Sequence, residues 1–192
     1  MKPTTAPEFI AATMENPVAE LEDFGRVVAI YWPRIFRFVM ASVRDQDAAE
    51  TLTQDCFWKA YRSRAQFRGD CTMNTWLMKI AINSIRKFVR NQRFQFWRRI
   101  QSAALDTRSI GDWFPDPAMS SETRAVLNEQ VKAVWDATQS LPHRQRHIFL
   151  LRFMEDMNTL EIAQATGLSE GTVKTHLFRA VHKVKRTLER SG

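Results

Sequence analysis

Residues 159 to 179 read Thr-Leu-Glu-Ile-Ala-Gln-Ala-Thr-Gly-Leu-Ser-Glu-Gly-Thr-Val-Lys-Thr-His-Leu-Phe-Arg, the pattern of a helix-turn-helix. A short helix can start at Thr159 or a neighbour, with Leu160, Ile162 and Ala163 as its expected inner side. Gly167 falls where that helix must stop and turn, a position that often requires positive φ. Leu168 can plug the angle between the helices, and Ser169 can cap the amides of the next one. Val173, Leu177, Val181 and Val184 then predict an inward stripe, leaving Lys174, Thr175, Phe178 and Arg179 outside. A helix placed this way can enter the major groove and present its first turns to base edges. The plain alternative is a helical hairpin with a solvated basic face. Coincidence of turn glycine, cap and exposed cations favours DNA.

Outward from this unit, composition agrees. The 192 residues carry a formal charge of +7, which suits a polyanionic partner. Six glycines and two tyrosines among many Ala, Leu, Arg, Gln and Met predict an all-α chain. Cys56 and Cys71 form no zinc pattern, and neither His176 nor His182 has a cysteine nearby, so no metal or other cofactor is expected. No apolar run is long enough to span a membrane, and the first residues lack a signal-peptide core. A soluble, cytoplasmic protein is expected.

The first 20 residues carry three prolines and no sustained period, and are read as a tail. From Leu21 to Val43 the pattern is helical, with Pro33 expected to end or kink one helix and open another. A further helix is expected from Asp47 to Arg64, with Ala49, Leu52, Cys56 and Ala60 inside. After a turn containing Gly69, another should run from Asn74 to Arg90 and on toward Arg99, burying Leu77, Ile80, Ala81, Ile85 and Phe88. Residues 102–121, with Gly111, Pro115 and Pro117, read as a flexible linker, in which Trp113 and Phe114 stand out. Residues 122–192 form the second helical domain, and 21–101 the first.

The first domain carries its own nucleic-acid signal. Lys79, Asn83, Arg86 or Lys87, and Arg90 recur at helical spacing as a polar, cationic stripe, with Trp76 at its leading edge. Residues 86–99 hold six basic side chains and no acid, interleaved with Phe94, Phe96 and Trp97. Cations take phosphates while unstacked bases meet aromatic faces. The preceding loop, with Asp70, Cys71 and Thr72, can hold an extruded base. One helix earlier, Glu50, Gln54 and Trp58 align beside Thr51 and Asp55 as an acidic and aromatic patch of the kind that docks a protein.

These blocks resemble a known family. Phe67-Arg-Gly-Asp-Cys-Thr-Met-Asn-Thr-Trp-Leu-Met-Lys-Ile-Ala-Ile-Asn83 resembles the promoter-melting segment of extracytoplasmic-function (group 4) sigma factors of the sigma-70 family. Asp47-Ala-Ala-Glu-Thr-Leu-Thr-Gln-Asp-Cys-Phe-Trp-Lys-Ala-Tyr61 is similar to their core-polymerase-binding helix. Ser140-Leu-Pro-His-Arg-Gln-Arg146, Leu150-Leu-Arg-Phe153 and Gly171-Thr-Val-Lys-Thr-His-Leu-Phe-Arg-Ala180 are similar to their C-terminal domain. The resemblance implies two domains, σ2 and σ4, that bind core RNA polymerase through its largest and second-largest subunits and read a bipartite promoter. Gln54 and Asp55, with Glu50 and Trp58 beside them, would dock on the largest subunit. The loop of Arg68, Asp70, Cys71, Thr72 and Met73 would cradle a flipped −10 base, with Trp76 and Asn83 on the non-template strand. Lys79, Arg86 and Arg90 would hold phosphates. Lys174, Thr175, Phe178 and Arg179 would face the −35 element, with Thr172 at a phosphate and His176 in a slot where relatives often carry arginine. An anti-sigma factor is a further implied partner. A LuxR-type regulator shares the second half of the pattern but not the first. An enzyme is disfavoured because Asp45, Asp47, Glu50 and Asp55 do not converge on a catalytic cluster.

Overall fold

The computed structural model describes residues 23–99 and 133–191, with side chains given to Asn91 and from Ala133 to Arg190. The expected tail, the linker with Trp113 and Phe114, and the side chains of Phe94, Phe96 and Trp97 lie outside the described residues. All regular structure in the described residues is helical. The first half holds α1 (Phe24–Val43), α2 (Gln46–Ser63), a 3-10 turn (Arg64–Gln66) and α3 (Met73–Arg99). The second holds α4 (133–139), α5 (His143–Phe153), α6 (Thr159–Thr166) and α7 (Glu170–Ser191).

Local chemistry sets the boundaries. Asp23 caps α1 by accepting from the Arg26 amide at 3.1 Å, and Asp45 caps α2 by accepting from the Ala48 amide at 2.8 Å. Between them Arg44 takes a left-handed φ of 60°, its amide bonding the Met40 carbonyl at 2.8 Å. Contrary to expectation, α1 runs unbroken through Pro33. The proline lies on an exposed face, and Ala29, whose carbonyl loses an amide partner, is exposed as well. Water can therefore satisfy that carbonyl, and burial of Ile35, Phe36, Phe38 and Val39 holds the second half of the helix in line.

Helix α3 starts one residue earlier than expected because Thr72 caps it, its hydroxyl accepting from the Thr75 amide at 3.2 Å. Leu77, Ala81 and Ile85 are buried as read from the sequence, while Ile80 and Phe88 are only partly so. Met78 and Ile82 are also fully buried. Their burial follows from position: α3 packs against α1 and α2 on one side and α6 on another, so its apolar arc is wider than a single stripe.

The helix-turn-helix forms with a capping box. Asn158 accepts from the amides of Leu160 and Glu161 at 2.9 and 3.0 Å, and Glu161 returns a bond from the Asn158 amide at 2.8 Å. Gly167 closes α6 at φ 73°, with its own amide and that of Leu168 both on the Ala163 carbonyl. Two inward assignments are corrected. Leu160 is 53% exposed, because position three of this short helix faces away from α3 and α7; Ala165 and Thr166 are buried instead. In α7 the inner row is Val173, Ala180 and Val184 with Leu177 half-buried, and Val181 is 40% exposed. A step of three from 177 to 180 keeps the row on one face, where a step of four rotates it outward.

An added Cβ at Gly167 meets nothing within 4 Å, so alanine there strains the backbone alone. Gly167→Ala is expected to lower unfolding free energy by about 1–2 kcal/mol. Gly171→Ala, equally open but inside α7, should be neutral or stabilising by up to about 1 kcal/mol. Chemical denaturation of both variants checks this, and equal losses would remove the conformational argument.

The two halves share one apolar cluster running from Val27 in α1 to Val173 in α7, and a smaller one joins Ala137, Leu141, Phe149, Ala180 and Val184.

Candidate nucleic-acid and partner interface

The outward face of α7 carries the side chains expected to meet duplex DNA. Lys174, Thr175 and Arg179 are exposed, and Phe178 is 73% exposed with its ring stacked on His182 at 6.3 Å. A bare phenylalanine of that exposure is an anchor in want of a surface. Thr175 bonds the Gly171 carbonyl at 2.9 Å, so its methyl is the part turned outward most freely. Thr172 is half-buried, its hydroxyl paired with that of Ser169 at 2.8 Å and its amide bonded to Ser169 at 3.3 Å. The Ser169 cap thus uses a donor that a phosphate would otherwise take. His176 is half-buried with Nδ1 shielded and without a partner, so only one side of its ring faces out. Beyond these, Arg179, His182, Lys183, Arg186 and Arg190 line a shallow cationic groove down α7, a continuation that the sequence reading stopped short of.

The loop before α3 and the helix itself form the second surface. Arg68, Asp70 and Thr72 are exposed and Cys71 is half-buried, around Gly69 at φ 77°. Burial raises the Cys71 thiol pKa, with Lys79 pulling it down and Asp70 pushing it up, so the thiol is not activated. Met73 is 2% exposed and lies in the core, which corrects its placement among the base-facing groups: its side chain anchors the loop from below. Trp76 is half-buried and packs on Phe67 at a centroid distance of 4.9 Å, a rigid seat that leaves one edge open. Lys79, Asn83 and Arg90 are exposed on one face of α3. Arg86 is otherwise employed: its guanidinium donates to the Thr166 carbonyl of α6 at 2.9 Å, and burial there lowers its pKa. A phosphate would have to displace that bond.

On α2, Glu50 and Gln54 are exposed and Trp58 is 57% exposed, with the Arg62 guanidinium 4.8 Å from its ring centre. Glu50 takes a bond from Gln46 at 3.2 Å. Asp55 is half-buried and held by Lys59 and, at 3.2 Å, by the Ser84 hydroxyl of α3. This aspartate therefore ties α2 to α3 as well as edging the docking patch. Cys56 lies beneath it, fully buried, its thiol pushed up to about 12 by burial and inert at neutral pH.

The groups the sequence reading passed over sit between the halves. Glu155, 3% exposed, receives Arg34 Nε at 2.9 Å and Arg37 Nη2 at 3.6 Å. Arg44 donates to the Trp135 carbonyl at 2.9 Å and the Thr138 hydroxyl at 3.4 Å. His147, 4% exposed, leans on Phe38 at 5.8 Å, and its Nε2 is buried without a partner. No periodicity marks such residues, because their partners lie about a hundred positions away. Among the described residues no group of His, Cys, Asp and Glu could hold a metal ion, and no helix is long and apolar enough to cross a membrane.

A helix-turn-helix with an open basic face, on a chain with a second cationic helix and an exposed docking patch, defines an all-α DNA-reading protein that also binds a protein. Comparison with known proteins makes that class specific. Sigma-70 region 2 matches residues 27–95, and Sigma-70 region 4 matches residues 132–184. The RNA polymerase sigma-H factor of Pseudomonas aeruginosa is 30% identical over 170 residues, covering 86% of each chain. The ECF RNA polymerase sigma-E factor of Escherichia coli is 29% identical over 161 residues, 82% of each. SigX of Bacillus subtilis, an ECF RNA polymerase sigma factor, is 26% identical over 168 residues, 88% of this chain and 84% of its own. The fold is shared with the sigma factor RpoE of Bartonella quintana, solved with the anti-sigma factor NepR, at a TM-score of 0.71 and 20% identity over 88% of this chain and 98% of that one. CnrH, solved with the cytosolic domain of CnrY, aligns at 0.64 and 18% identity over 91% and 96%. This chain belongs to the extracytoplasmic-function sigma factors of the sigma-70 family. A LuxR-type regulator leaves the match over the first half without an account.

Proposed function

We propose that the protein is a promoter-specificity subunit that binds core RNA polymerase and directs initiation at promoters with a −10 and a −35 element. It has no chemistry of its own and works in the cytoplasm, where polymerase and DNA are. The observation that carries the reading is the presence of two separate cationic DNA-facing surfaces on one chain, α3 with its loop and α7, together with the exposed Trp58 patch on α2. Residues 21–101 would bind core polymerase and open the −10 element, 122–192 would read the −35 element, and 102–121 would join them. Glu50, Gln54, Asp55 and Trp58 would meet the largest subunit, and the second-largest subunit would complete the holoenzyme. Arg68, Asp70, Cys71, Thr72, Trp76, Lys79, Asn83 and Arg90 would hold the melted strand, with Arg86 joining once released from Thr166. Thr172, Lys174, Thr175, His176, Phe178 and Arg179 would meet the −35 duplex. An anti-sigma factor, the partner recorded for the solved RpoE, would restrain it.

Reconstitution with core polymerase on a promoter library tests the proposal: enrichment of templates sharing two spaced elements is expected. Specific core binding without any specific initiation would make the chain an adaptor instead. In the same assay the Lys174→Ala, Arg179→Ala double variant should lose at least about tenfold in −35-dependent DNA affinity and about two in salt slope, with core affinity unchanged. A loss of core affinity instead would mean these two side chains have been assigned to the wrong surface.

A further inference from the structure

We infer that this chain has an intrinsic closed state, clasped by Glu155, which competes with promoter binding and must open before both elements can be read. The inference rests on the two-element reading above. Glu155 follows α5, yet its fully buried carboxylate is neutralised by Arg34 and Arg37 of α1, and Arg34 Nη2 also reaches the Glu155 carbonyl at 3.3 Å. Two further guanidiniums cross the same boundary, Arg44 to α4 and Arg86 to the end of α6. All four cross-boundary cations come from the first half and all their acceptors from the second. The register is thus specified by direction as well as by shape.

Geometry makes this state incompatible with the promoter complex. Arg86 of α3 lies 2.9 Å from Thr166 at the C-terminal end of α6, so the strand-facing helix touches the helix-turn-helix. Elements centred near −10 and −35 are separated by roughly 25 base pairs of about 3.4 Å each, on the order of 85 Å along the duplex. Units in van der Waals contact cannot occupy both. A closed population therefore reduces apparent DNA affinity by the fraction of molecules that are open. A polar clasp suits a reversible contact: its ions return to water on opening, whereas an apolar seam of equal area would not release so readily. Arg86 adds a direct competition, since a phosphate and the Thr166 carbonyl claim one guanidinium.

The test uses the full chain without polymerase, by small-angle X-ray scattering and by titration with a duplex carrying the −35 element selected above. The wild type should scatter as a compact particle. Arg34→Ala with Arg37→Ala should enlarge the radius of gyration and tighten duplex binding several-fold, in spite of losing two cations. Glu155→Gln, nearly isosteric, breaks the clasp from the other side and covers the case in which the double variant misfolds; it should expand the particle too. A wild type already extended, or Glu155→Gln remaining as compact as wild type, overturns the clasp. Expansion in both variants without tighter duplex binding overturns the competition. The scattering result stands apart from the promoter-library result, so failure of the clasp and failure of the two-element reading are told apart.

Discussion

Phe38→Ala should destabilise the fold by about 3–5 kcal/mol and lower its melting temperature by roughly 10 °C or more. Phe38 is wholly buried at the centre of α1, in the cluster that runs through both halves, and its ring supports His147 of α5. Truncation leaves a phenyl-sized void in a region bounded by helices on several sides, where collapse to fill it would drag α1 away from α5. Ile30 provides the contrast. It lies on the same helix but is 49% exposed, and Ile30→Ala should move stability by less than about 1 kcal/mol. Urea denaturation followed by circular dichroism measures both. If the two variants differ by less than 1 kcal/mol, the shared core is not the packing the protein adopts in solution.

The second large effect is on pH. His147 is pushed down to about 3 from 6.5, first by burial and then by the positive neighbours His143, Arg86 and Arg146. In the fold the ring stays neutral, whereas in the unfolded chain it takes a proton near pH 6.5. A depressed folded value means that stability is fully present above 6.5 and lost as pH falls toward 3, at roughly 1.4 kcal/mol per pH unit. Glu155 acts the other way. Burial raises its carboxyl above 4.5 against the pull of Arg34 and Arg37, so proton uptake there favours the fold on acidification. Its opposition is confined to the lower part of the range, and the histidine effect is clearest between pH 6.5 and 5. Over that interval wild type should lose about 2 kcal/mol more than His147→Gln, which cannot titrate. Parallel pH profiles for the two proteins would show that the ring is solvated in the native state.

The helix-turn-helix was legible in the sequence because every signal for it is local. The Asn158–Glu161 box, Gly167 and Ser169 each act within four residues, and the outward Lys174, Phe178 and Arg179 follow from helical spacing alone. The docking face of α2 was equally plain, since Ala49, Leu52, Cys56 and Ala60 bury one side and leave Glu50, Gln54 and Trp58 on the other. Errors arose where a short element met several neighbours. Leu160 and Val181 fit an inward row by type, but the lie of α6 on α3 and the turn of α7 put them in water. Met73 was read as a loop residue near a base because periodicity starts with the helix, and only packing shows it as the loop's anchor.

The sequence by itself determined the all-α class, the order of the helices, the turn at Gly167 and the two cationic faces, because helical period, caps and positive φ are properties of neighbouring residues. Only the tertiary structure decided that the two halves share a core, that Arg86 is bound to Thr166, and that Glu155, Arg34, Arg37 and His147 meet out of water. Those contacts join residues up to 121 positions apart. A carboxylate between two guanidiniums leaves no period in the chain, and its energy comes from the desolvation that packing imposes.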